Sequence, residues 1–203
     1  MNPLNSVRGV ITGGIVLAVV IALVTALLTS GIDFRETSFV VWIHVLAGIT
    51  WIGILYYFNF IQVPALADAA ADEGGPGGAG ITKYVAPRAL WWFRWGAAVT
   101  WISGVTALHL QGWLVNAITL GMNGSGRTGV WIGVGAWFGT IMLFNVWALI
   151  WPAQKKILGM VEATADEIAK ARKVAFVASR TNTLLSIPML MSMVSMGHAG
   201  FFI

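Results

Sequence analysis

The chain has 203 residues, 58% of them apolar and only 10% charged, against roughly 25% charged in a typical soluble domain. That mixture cannot coat a globule of this size with polar side chains, so lipid has to cover much of the surface. The net charge of +4 does not mark a nucleic-acid binder, because the basic residues cluster beside apolar segments, and the absence of cysteine excludes disulfides, thiolate metal sites, covalent c-type haem attachment and cysteine nucleophiles.

A span of about 20 apolar residues crosses the hydrocarbon core, and five stretches meet or approach that length. The first, 10–28, carries no charge. Its apolar run exceeds a signal-peptide core and no A-x-A site follows, so it reads as a retained span. The second runs over 38–61, the third over 89–115, the fourth over 129–151 and the fifth over 183–203. The expected fold class is therefore an all-α integral membrane protein, a single bundle of five transmembrane helices. Between spans two and three, 67–87 reads as a flexible cytoplasmic loop. Its 67–80 part holds five glycines, Pro76 and three acids, without the Gly-Lys-Ser/Thr ending of a phosphate loop. Between spans four and five, 153–182 is a basic cytoplasmic loop with a short helix, announced by a Thr164/Glu167 capping box followed by Lys170, Arg172 and Lys173.

Charge orients the chain. Arg8, Lys83, Arg88, Arg94, Lys155, Lys156, Lys170, Arg172, Lys173 and Arg180 fall on one side, ten of the twelve basic residues, and Arg35 and Arg127 on the other. The positive-inside rule then puts the N-terminus in the cytoplasm and the C-terminus outside, in a bacterial inner membrane.

The three histidines, His44, His109 and His198, each fall inside an expected span, where ionisable groups are costly and usually functional. Counting along the helices, His44 and His198 lie roughly 7–8 Å and His109 roughly 10 Å below the outer ends. Three imidazoles from three helices thus share one layer of the outer leaflet. Such an arrangement holds haem b in membrane cytochromes, with Gly48 and Gly112 leaving room for a flat ring and Trp51, on the His44 face, packing at its edge. Two other readings stand beside it: three neutral imidazoles bind zinc or copper, and an isolated intramembrane histidine simply ties helices together. Gly129/Gly133 and Gly135/Gly139 are G-x-x-x-G pairs for close packing within the bundle or between protomers. Met189, Met191, Met193 and Met196 read as adaptable packing, Trp91, Trp92 and Trp95 as an interfacial belt, and Asn59, Gln62 and Asn145 as interhelical hydrogen-bonding groups.

The run from Trp42 to Gly53, with His44, Ala47, Gly48, Trp51 and Ile52, resembles the W-x-H-x-x-A-G-x-x-W-I-G signature of the membrane-bound urate hydroxylase family, the urate oxidase N-terminal domain. Trp92-Phe93-Arg94-Trp95 with Thr100 to Gly104 resembles its next helix. Gly139 to Asn145 followed by Pro152-x-Gln154-Lys155-Lys156 resembles the one after, and Asn182 to Leu190, ending near His198, the last. The resemblance implies a short form without the family's cytochrome c domain: a membrane oxidoreductase passing electrons to cytochrome c or a respiratory-chain component, with His44 and His198 on histidine positions of the pattern. This chain departs from the pattern at Gly133-Val134-Gly135 and at Arg180-Thr181-Asn182, where histidines are expected, and at Gly96, where an acid often follows. The residues thus predict a haem b site at His44, His198 and His109, beside Gly48 and Trp51, in a b-type cytochrome or urate hydroxylase-like enzyme set in a larger complex or homo-oligomer. The alternative is a non-redox accessory subunit or transporter whose histidines are structural.

Overall fold

The structure, a computed structural model, describes residues 2–29, 31 and 33–197. It is helical throughout, with no strand among the described residues. Residues 1–36 form one unit and residues 37–203 another.

The first unit is essentially one helix, α1 (Val7–Thr29). Ser6 caps it, its Oγ accepting from Gly9 N–H at 3.0 Å. Every turn is apolar and none of its residues is buried. A helix is the one way such a segment satisfies its own backbone in hydrocarbon.

The second unit holds α2 (Glu36–Ala71), α3 (Ala86–Leu110), α4 (Leu114–Ile118), α5 (Gly126–Ile157) and α6 (Ala165–Gly197). Helices α1, α2, α5 and α6 are long and apolar enough to cross a membrane. Helix α3 has 25 residues but falls outside that group, because Arg88, Arg94, His109 and a run of Gly, Ser and Thr dilute its apolar residues. Prolines shape three of these helices. Pro64, Pro87 and Pro152 each stand two residues past a π-helical turn, at Phe58–Gln62, Ile81–Val85 and Asn145–Ile150. Proline donates no hydrogen bond and crowds the preceding turn, and widening that turn lets the helix continue. The short loop helix and the fifth expected span are one continuous α6. Its start carries the capping box: Thr164 N–H donates to Glu167 Oε2 at 2.9 Å and Glu167 N–H to Thr164 Oγ1 at 3.3 Å. Lys156 adds an ion pair to Glu167 at 2.9 Å.

Trp51, Leu55, Phe93, Ala97, Met142, Val146 and Met189 form the main apolar core. Glycines let the helix backbones approach around it. Gly96 of α3 lies against the Trp51 backbone, where a Cβ would meet Trp51 N at 3.3 Å. Both G-x-x-x-G pairs are spent inside the unit: Gly135 and Gly139 face Ser192, Met193 and Met189 of α6, and Gly129 and Gly133 face Gly121, Ala117 and Leu120. Met189 and Met193 are packing residues there, as expected. A Cβ on Gly135 would sit 3.2 Å from Ser192 Cβ and Met193 Cε. Gly135→Leu is therefore expected to lower the melting temperature in detergent by roughly 2–10 °C through overpacking; an unchanged melting curve would contradict this packing.

Candidate functional site

His44 stands on α2, half-buried, at the point where α3 crosses it. The Cε1–Nδ1 edge of its ring lies against Gly104: a Cβ there would fall 2.8 Å from His44 Cε1 and 3.0 Å from Nδ1, with Nε2 further off at 3.9 Å. Nδ1 lies 2.8 Å from the Thr100 carbonyl oxygen. A carbonyl only accepts, so Nδ1 carries the proton, and the lone pair of the neutral ring sits on Nε2. The same carbonyl accepts from Ser103 Oγ at 3.1 Å, and Thr100 Oγ1 donates to the Gly96 carbonyl at 2.7 Å. The turn that holds the imidazole is itself pinned.

That geometry fits one axial ligand of a haem or one nitrogen of a metal site. Metal-bound histidines characteristically donate their other N–H to a carbonyl or carboxylate, which fixes the ring and raises its basicity. Of the remaining expected ligands, His198 lies outside the described residues. His109 is exposed, near the end of α3 and five residues beyond Gly104, hence about 140° further round the helix. It does not share the face of α3 that meets His44. Among the described residues no three His, Asp or Glu side chains converge as a metal site. Gly48 faces the Thr100 methyl of α3, which a Cβ at that position would meet at 3.8 Å. Gly112 serves as a helix stop with φ +73, its neighbour Trp113 N–H returning to Leu108 O at 2.8 Å. Trp51 is only 1% exposed in the main core, with its indole Nε1 buried and unpartnered.

A second polar group lies where the π-helical turns meet α6. Asn145 Nδ2 donates to Asn182 Oδ1 at 2.8 Å, and Asn182 Nδ2 to the Met142 carbonyl at 3.0 Å. Asn59 Nδ2 donates to Ser179 Oγ at 2.8 Å, and Tyr56 and Ser186 share a 2.9 Å hydroxyl pair. Asn59 and Asn145 are thus the interhelical groups their sequence positions promised, whereas Gln62 keeps a buried Oε1 with no donor. Asn182 escaped sequence reasoning as a partner, although an asparagine in an apolar helix is signal enough. Thr100 and Gly104 escaped it as the elements that hold His44. No local pattern marks a carbonyl that serves a distant ring.

Fold and site together define a helical chain with four helices long and apolar enough to cross a membrane and, at His44, an imidazole held by a hydrogen bond. Residues 114–202 match the family described as urate oxidase N-terminal, the family that the sequence blocks resemble. The matched stretch comprises α4, α5 and α6 and leaves His44, Thr100 and Gly104 outside it. No curated protein and no solved structure matches the chain.

Proposed function

We propose that this protein is a membrane redox module in which His44 gives Nε2 to the iron of a haem b. Electrons would pass to a cytochrome c or another respiratory-chain component on the outer face of a bacterial inner membrane. The observation that carries the reading is the hydrogen bond from His44 Nδ1 to the Thr100 carbonyl, which leaves Nε2 as the ligating atom. In this reading His198 would supply the second nitrogen, whereas His109, exposed and turned away from the face of α3 that meets His44, would not. The match of residues 114–202 to the urate oxidase N-terminal family supports an oxidoreductase context, and oxidation of urate or another small reduced molecule is the enzymatic form of the proposal. Haem, when bound, supplies one-electron chemistry. The protein's part is to fix the imidazole, with Gly104 against its Cε1–Nδ1 edge and the Thr100 carbonyl on Nδ1, and to keep the ring in one tautomer.

The same hydrogen bond is also what a histidine tying two helices together would make, and on that reading the chain is a non-redox accessory subunit or transporter. Optical spectroscopy separates the two. The reduced wild type is expected to show a Soret band with resolved α and β bands. His44→Ala abolishes the haem or leaves it high-spin, and Gly104→Leu, whose side chain enters the volume of the His44 ring, does the same. Retention of the wild-type spectrum in His44→Ala would remove His44 as a ligand.

The topology belongs to the proposal as well: five spans including α3, with the N-terminus and both basic loops in the cytoplasm. The ten-to-two division of the twelve basic residues supports it. A cysteine at Ala163 should resist an impermeant thiol reagent in intact cells; ready labelling would reverse the orientation.

A further inference from the structure

Arg94 of α3 carries a charge that no ion pair among the described residues neutralises. The ion pairs among the described residues are Arg35–Asp33 and Lys156–Glu167, and neither involves it. The side chain is half-buried, with Nε buried and without an acceptor. Its guanidinium carbon lies 3.7 Å from the centroid of the Trp151 ring on α5, and Lys155 Nζ approaches the same ring at 5.9 Å. Trp151 is six residues from the end of α5 at Ile157, about 9 Å along the helix. Two cations therefore approach one indole. Exposed Trp91, Trp92 and Trp95 flank Arg94 on α3, as suits an interfacial belt.

Stacking uses the face of a guanidinium and leaves its N–H donors free in the plane. The two Nη groups of that fork match two oxygens of a phosphate, which would neutralise the unpaired charge. Among the described residues no carboxylate pairs with either cation to compete for it. A side chain that merely reached for water would present all of its donors to solvent, whereas Nε of Arg94 is enclosed.

We propose that Arg94 and Lys155, organised on the Trp151 ring, form a binding site for a phosphate oxyanion, either the headgroup of an anionic phospholipid or a soluble phosphate. The site is independent of the haem reading, and protein with or without haem serves for the test. Melting temperature is measured in detergent with added phosphatidylglycerol, with phosphatidylcholine, and with sodium phosphate against sodium chloride at matched ionic strength. Phosphatidylglycerol is expected to raise the wild-type value about 5 °C above phosphatidylcholine. Arg94→Gln should lose most of that rise and Lys155→Gln part of it, while Arg94→Lys, a point charge without the fork, keeps a fraction. If sodium phosphate alone gives the same rise, the site stands with a soluble anion as its occupant. If neither phosphate source raises the wild-type value, or if the variants respond as the wild type does, the site is wrong. Should Arg94→Gln fail to fold, Lys155→Gln and Arg94→Lys decide, and an undiminished rise in both overturns the proposal.

Discussion

Close approach of helix backbones, permitted where a side chain is reduced to hydrogen, is the constraint on which the second unit depends. At Gly96 the α3 backbone comes within van der Waals reach of the Trp51 backbone, and at Gly104 it leaves room for the Cε1–Nδ1 edge of the His44 ring. Two turns of one helix thereby set both the core and the candidate site. With any larger residue at these two positions α3 would stand further from α2, and the Thr100 carbonyl would move out of its 2.8 Å reach of His44. Gly135 and Gly139 play the same part between α5 and α6. In lipid, where apolar burial gives helices little reason to associate, such van der Waals packing is the main adhesive.

Hydrogen bonds then select among the ways these helices could pack. Interhelical bonds within membranes average about 0.6 kcal/mol, so the Asn145–Asn182 and Asn59–Ser179 bonds add little to stability beside packing. Their effect is on register, because an unpaired buried amide costs about 1–3 kcal/mol. The π-helical turns put these amides where they are. A helix forced to accommodate Pro64 or Pro152 widens just before it, and Asn59, Gln62 and Asn145 all lie in the widened turns. Proline at these points positions polar side chains while letting the helix run on.

Much of the fold was legible in composition and spacing, because long apolar runs and the Thr164/Glu167 box are local signals. The merger of the loop helix with the fifth expected span was not. Charged residues at the start of α6 look like a loop, yet a helix continues through them once its N-terminus is capped. The four helices long and apolar enough to cross a membrane against five expected spans differ for a similar reason: α3 is polar enough to fall outside the group, while its length matches the others. At the site, the sequence singled out His44 with a small residue one turn away, and the structure holds that ring against Gly104 and the Thr100 carbonyl. In sequence Gly48 read as room for a ring, whereas that glycine receives Thr100, and the glycine that makes room for the imidazole is Gly104, on another helix. Contacts of this kind depend on how two helices cross, which no single helix encodes. The lack of a partner for Arg94 was invisible for the same reason, since an arginine beside a tryptophan belt reads as ordinary interfacial anchoring.

The central claim is that the oriented imidazole of His44 serves a haem and is not merely a tie between α2 and α3. Haem content answers it without reference to any variant or substrate. In protein produced with ample haem and purified in detergent, the pyridine haemochromogen assay together with iron analysis should return one protohaem and one iron per chain. Preparations of folded protein containing neither would contradict the account and leave His44 as a structural residue.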